Sequence, residues 1–342
     1  MNSRARLYKG ERLEKEKMKK KMKKKMSAFL AAVMIFSVLS GCGKKETKSG
    51  QSENVDHREK TELAFDNYGR KITVQGVPKK VLTLGPNCTE LFCALGLEKY
   101  VIGDSLNNHS RGALPQYKET YDKIPELNHS SATRESVETS GADFIYGIDW
   151  EFGEEGLDVD ELEQFGITTY MNSASTPDEM YQEIRDLGEI FCIEDKAEAY
   201  VKEQKTRISA VKDQAANRKP VNVLVYDSGN DGIFTCGGNN FETLLIELAG
   251  GKNIFDDQTK KQWITVSYEE AIAREPDVIL IHDYDSPSVK EKIDEIKNNA
   301  VLSQLECVKK ERFATIELES VLPGDRMAYT IEKLAGDFHE FS

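Results

Sequence analysis

The sequence predicts an α/β chain built as two Rossmann-like lobes joined by a single long helix. Three observations point that way. Residues 195–218, DKAEAYVKEQKTRISAVKDQAANR, contain no Gly or Pro and read as one helix. Lys219-Pro220 stops it, because the residue before a proline is pushed out of the α region. On both sides, short apolar runs alternate with helical segments, the pattern of a parallel sheet covered by helices. Glu135…Asp143 also recurs as Glu269…Asp277: in each flank a Glu in a short helix stands eight residues before an Asp that opens a β-rich run. The flanks therefore read as one βα unit used twice. The helix between them, roughly 36 Å long at 1.5 Å per residue, reads as a strut. The i,i+4 pairs Glu198/Lys202 and Glu203/Arg207 support it.

The N-terminus has a different composition. Residues 18–25 are nearly all lysine, and residues 27–41 (SAFLAAVMIFSVLSG) are apolar and uncharged. That run is short for a transmembrane helix and fits a secretory signal. Met18, Met22 or Met26 would make a more typical start for it than Met1. Leu39-Ser40-Gly41-Cys42 resembles the bacterial lipobox, which implies lipidation of Cys42, and a membrane-anchored, extracytoplasmic protein. Removing residues 1–41 takes away 12 basic and 3 acidic residues and leaves 34 basic against 56 acidic, a net charge of −22. Nucleic acid is not the partner of such a chain. Five cysteines remain: Cys88, Cys93, Cys192, Cys236 and Cys307. An odd number cannot all pair, and the spacing selects no disulfide.

The expected division is a signal over 1–41, a flexible polar tether over 42–60, lobes over 61–194 and 219–342, and the connecting helix over 195–218. In the first lobe, residues 61–77 read as strand, turn, strand, and 81–85 as a buried parallel strand. A helix follows over 87–96, with Asn87 as its cap. Residues 101–103 are the next strand. Residues 105–133 then form a long loop, and loops of this length in compact domains are usually functional. After it come a helix at 134–140, a strand at 143–147, a helix at 160–165 and a strand at 167–170. Thr176-Pro177-Asp178-Glu179 is a capping box opening a helix whose apolar face is Met180, Ile184, Leu187 and Phe191. In the second lobe, strands are expected at 221–226, 277–281 and 313–316, and helices at 241–249, 267–274, 288–298 and 328–338.

Several blocks together resemble a known family, the substrate-binding lipoproteins of ABC importers for iron-siderophore complexes, haem and cobalamin. They are Pro78-Lys79-Lys80-Val81-Leu82 leading to Glu90 and Leu95-Gly96, then Glu135 through Asp143, AGGKNIF at 249–255, Trp263 through Glu269, Pro276-Asp277-Val278-Ile279, and Gly324-Asp325-Arg326. The resemblance covers roughly residues 63–339. It implies a ligand cleft between the lobes, an iron-siderophore-like metal chelate as ligand and a permease with its ATPase as partners. The alternatives within the family are a corrinoid or haem. It also implies that Glu135 and Glu269, one on each lobe tip, dock on permease cations.

In open α/β sheets ligands gather at the carboxyl ends of strands. The candidates for ligand contact are therefore Asn87, His109, Arg111, His129, Tyr146, Trp150, Tyr226, Trp263 and Arg326, the aromatics for contact area and Arg for an anionic group. No cofactor is expected. No spaced histidines suit a bare metal ion, and no nucleophile elbow, phosphate loop or GxGxxG suggests an enzyme. The expectation is a monomeric binding protein. A metal-cofactor enzyme or a surface sensor is the alternative from another class.

Overall fold

A computed structural model of the chain describes residues 62–153, 156–216, 218–229 and 231–341. The signal, Cys42 and the tether lie outside the described residues. The chain opens with an antiparallel hairpin, β1 (Glu62–Asn67) and β2 (Arg70–Gln75). Then come β3 (Val81–Leu84), α1 (Pro86–Ala94), β4 (Val101–Ser105), α2 (Lys118–Tyr121), β5 (Glu126–Asn128), α3 (Arg134–Ser140), β6 (Phe144–Ile148), α4 (Val159–Gln164), β7 (Thr168–Asn172) and α5 (Pro177–Ile190). Strands β5-β4-β3-β6-β7, in that spatial order, make one wholly parallel sheet.

The long helix is α6 (Glu194–Ala215). Beyond it lie β8 (Val221–Tyr226), β9 (Ser228–Gly229), β10 (Ile233–Cys236), α7 (Phe241–Leu248), β11 (Gly251–Asn253), β12 (Trp263–Val266), α8 (Tyr268–Ala273), β13 (Val278–Asp283), α9 (Val289–Asn298), α10 (Glu306–Lys309), β14 (Phe313–Glu317) and α11 (Met327–Phe341). Strands β11-β8-β13-β14 form a second parallel sheet, and β12-β10-β9 a small antiparallel one beside it.

The two parallel sheets share one winding. Setting aside edge strand β5, each places its strands in the order second, first, third, fourth. The Glu/Asp repeat has a matching physical role. The Asp143 carboxylate accepts from the backbone N–H of Lys79 and Lys80, both at 3.0 Å, while Asp143 N donates to Lys80 O at 2.9 Å. Asp277 does the same with Asn222, taking its N–H at 2.9 Å and donating to its carbonyl at 2.8 Å. Each Asp thus ties the start of the third strand to the start of the first.

Helix α6 buries Ala197, Val201, Gln204, Ile208 and Val211, a seam at helical spacing, against α5 and α11. Gly188 of α5 allows the approach, since a Cβ there would stand 2.7 Å from that of Ala197. One apolar cluster runs through this helical layer and the inner face of each sheet, and a further cluster covers the outer face of each.

Several local expectations change. Helix α1 starts at Pro86, with Gly85 as N-cap at φ 129° and no side-chain cap. Asn87 therefore lies inside the helix and bonds elsewhere. Glu198 does not reach Lys202; its carboxylate takes Arg185 of α5 at 2.8 Å. The 105–133 loop carries β5 and α2. All five described cysteines are free thiols.

Candidate functional site

The carboxyl end of the first parallel sheet meets segments of the second half at one small cavity of about 30 Å³. The first sheet supplies Ile148, Asp149 and Trp150 after β6, and Asn172, Ser173 and Ala174 at the end of β7. The second half supplies Asn240, Phe241, Gln262, Trp263 and the turn Val321–Pro323. Trp150 is 44% exposed. Trp263 opens β12 and stacks on Phe234 of β10, with ring centres 5.4 Å apart and planes 18° apart. Phe234 is itself 38% exposed. Sequence reasoning missed it, although Ile233-Phe234-Thr235-Cys236 sits between glycines, as a short strand would.

A charged network lies beneath Trp263, whose ring meets His282 edge-on at 5.9 Å. His282, fully buried at the end of β13, bridges Asp227 at 2.9 Å and Glu242 at 3.0 Å. Burial pushes its pKa down, but the two carboxylates outweigh burial and raise it to about 9. Lys292 donates to the His282 carbonyl at 2.7 Å, and burial lowers its pKa to about 8. The His282 shift fixes a pH dependence. A histidine whose pKa is higher folded than unfolded adds stability that is complete below its unfolded value near 6.5 and is lost as pH rises through about 9. His282 alone should lower stability between pH 7 and 9 by on the order of 2 kcal/mol, and Lys292, whose pKa burial holds near 8, returns part of it over the same range, so the urea midpoint should fall by less than the His282 share. His282→Gln should flatten that slope, and an unchanged slope in this variant would assign it to another group.

Arg326 stands in a second network, away from the cavity. It is 4% exposed. Its Nε donates to Glu90 Oε2 at 3.0 Å, with a second bond from Nη2 to the same oxygen. Nη1 donates to Ser320 Oγ at 3.0 Å and Nη2 to the Gly112 carbonyl at 2.7 Å. Glu319, 3.5 Å from Nη1, accepts from Ser110 Oγ at 2.9 Å and from Arg111 N at 2.8 Å. Burial opposes the Arg326 charge, and Glu90 holds the proton on. The guanidinium fastens α1 and the 110–114 loop to the chain just before α11.

Asn87, also buried, donates from Nδ2 to Asn172 Oδ1 at 2.9 Å and to the Pro323 carbonyl at 2.7 Å, behind two residues that line the cavity. Tyr146 and Tyr226 are wholly buried. The Tyr146 hydroxyl donates to Glu183 at 2.9 Å and accepts from Asn172 Nδ2 at 2.9 Å.

His109, Arg111 and His129 all meet the end of β13. Arg111 Nε donates to Asp283 Oδ1 at 2.7 Å, His129 Nε2 lies 3.9 Å from Asp285, and the His109 ring stacks over Tyr284 at 6.5 Å. These contacts clasp the two halves together. Of the nine candidates, then, Trp150 and Trp263 line the cavity and Asn87 backs it, while the other six have different surroundings. Glu135 and Glu269 are exposed in the first turns of α3 and α8, at matching places in the two windings. Among the described residues no group of three or more His, Cys, Asp or Glu could hold a metal ion.

The periplasmic binding protein family matches residues 81–318. An uncharacterised ABC transporter substrate-binding lipoprotein, YvrC of Bacillus subtilis (strain 168), is 26% identical over 328 residues, 93% of this chain and 97% of that protein. A vitamin B12-binding protein of Photorhabdus laumondii is 26% identical over 210 residues, 61% of this chain and 72% of that one. The crystal structure of a periplasmic binding protein from Veillonella parvula superposes with a TM-score of 0.73 at 24% identity, over 82% of this chain and 98% of its own.

Proposed function

Because this chain belongs to the periplasmic binding protein family, as the substrate-binding component of an ABC transporter, we propose that its cleft captures a bulky metal chelate of low net charge, best fitted by a corrinoid. A protein of this kind works with a permease and its ATPase on the extracytoplasmic side. We propose further that Cys42 carries its lipid anchor, that it acts as a monomer, and that residues 61–194 and 219–342 are its two lobes. Exposed Glu135 and Glu269 are the docking anions for the permease. The relatives are transport proteins, and no catalytic role is proposed.

The ligand class rests on the burial of Arg326 and on the largely uncharged lining of the cavity. Arg326 is buried on Glu90, and Arg111 is paired with Asp283. The cavity keeps aromatic rings, the Gln262 side chain and the single carboxylate of Asp149, while the amides of Asn172 and Asn240 that also line it are bonded within the protein. Such a surface suits a broad apolar face fringed with neutral hydrogen-bonding groups. The curated vitamin B12-binding relatives support the same choice. A cavity of about 30 Å³ is far below the several hundred Å³ such a ligand fills, so entry requires the β13 clasp to part. Parting frees the Arg111 guanidinium, and that favours a second reading, an anionic ferric siderophore.

Calorimetric titration with cyanocobalamin, haemin and ferric enterobactin separates the two. Cyanocobalamin should bind, and Arg111→Ala should leave its affinity unchanged or tighten it a few-fold, since an exposed ion pair that holds the closed form is worth up to about 1 kcal/mol. Binding of ferric enterobactin that collapses in Arg111→Ala would establish the second reading. No heat with any of the three would remove the ligand assignment.

A further inference from the structure

The β1–β2 hairpin precedes the stretch that matches the family, residues 81–318. Its loop is two residues, Tyr68 at φ 50° and Gly69 at φ 73°. Positive φ at both positions is the turn that suits the twist of a tight hairpin, and Asn, Asp or Gly normally fills the first of them. A tyrosine there carries a steric cost that Asn, Asp or Gly would not. Burial does not offset that cost: Tyr68 is 58% exposed, the highest value among the large exposed hydrophobic residues described.

The tip is nevertheless held firmly. On one side Asn67 exchanges two hydrogen bonds with the Met171 backbone, each 2.8 Å. On the other, Arg70 pairs with Glu163 of α4. The first clamp sets the tip against the end of β7, where the next residues, Asn172 to Ala174, line the cleft. Partial burial and the Asp149 carboxylate both raise the Tyr68 hydroxyl above its usual range, which puts the ring in the field of another cleft residue, next in sequence to exposed Trp150. An aromatic side chain has thus been kept in an unfavourable backbone conformation and open to solvent, on a turn anchored to the end of β7, whose next residues line the cleft.

We propose that Tyr68 is a ligand-contacting and specificity-determining residue, an aromatic wall beside Trp150 that packs on the flat face of the chelate. This rests on the cleft reading above. The ligand provides the apolar surface that the fold does not.

Tyr68→Asn tests it, because Asn is a residue this turn accepts more readily. The purified variant should unfold at the wild-type temperature or higher, yet bind cyanocobalamin roughly 3- to 10-fold more weakly, the worth of one aromatic contact. Tyr68→Phe, which keeps the ring, should stay within about twofold of wild type. Wild-type affinity in Tyr68→Asn would overturn the assignment, as would a lowered unfolding temperature, which would give the ring to the fold. Trp263→Ala separates this failure from failure of the cleft. Lost affinity there beside full affinity in Tyr68→Asn sinks only the Tyr68 role. A wild-type protein that binds none of cyanocobalamin, haemin and ferric enterobactin sinks both.

Discussion

Replacing Glu135 and Glu269 together by alanine is expected to abolish cellular uptake of cyanocobalamin while leaving the affinity of the purified protein within about twofold of wild type. Both carboxylates are exposed, and they occupy corresponding places. Each sits in the first turn of a short helix that feeds the third strand of its sheet, and each strand start is tied to its neighbour by Asp143 or Asp277. The anions are therefore held on stiff supports, and α6 packs both halves onto one helical layer. Two fixed negative charges can register on two fixed cations of a partner. Truncating one member of a desolvated charge pair costs about 2–5 kcal/mol, so losing two reduces productive docking by at least 10³-fold. Their value to the fold is much smaller. Thr133 and Ser267 cap these helices, and an acidic residue near a helix N-terminus adds only about 0.3–1 kcal/mol. Uptake and affinity should thus separate. If affinity falls together with uptake, the two residues serve the cleft or the fold and the docking assignment is wrong.

The parts that were legible in the sequence are those fixed by local physics. Apolar runs such as Val81–Leu84 and Val278–Asp283 can only be central parallel strands, because nearly every residue in them is buried. Helix α6 announced itself by what it lacks, Gly and Pro. The Glu/Asp repeat marked equivalent turns, although its partners lie 64 and 55 positions away, because each Asp makes the same backbone hydrogen bonds to the start of the adjacent first strand. What was not legible depended on partners remote in sequence. Arg326 meets Glu90 across 236 positions, so nothing near Arg326 distinguishes a buried pin from a ligand contact. Asn87 has the composition of a cap, yet its amide reaches Asn172 and Pro323 once the chain has folded. His109, Arg111 and His129 lie on the long 105–133 segment read from the sequence, but their partners Asp283, Tyr284 and Asp285 come from the other half of the chain. Strands β5 and β11 have three residues each and no room for a periodic signal.

Arg326→Ala is expected to destabilise the protein by about 3–5 kcal/mol, a drop in Tm on the order of 10 °C. The guanidinium is the charge that faces two buried carboxylates, Glu90 and Glu319, each 1% exposed. Burial already raises the pKa of both, and removing the cation leaves them without compensation. The bond to the Gly112 carbonyl would go too, releasing the loop that carries Arg111 and the clasp. Because the cost arises from stranded carboxylates rather than from a lost attraction, a second change should recover part of it. Glu90→Gln combined with Arg326→Met removes one buried charge of each sign, and should be less destabilised than the sum of the single variants by 1 kcal/mol or more. Thermal unfolding of the wild type, Arg326→Ala, Arg326→Met, Glu90→Gln and the double variant, each also titrated with cyanocobalamin, distinguishes a pin from a ligand contact. A pin predicts large, non-additive changes in Tm with affinity retained wherever the fold is retained. An Arg326→Ala protein that keeps its Tm and loses its ligand would instead put the guanidinium in the cleft, and the fastening of α1 to the start of α11 would need another source.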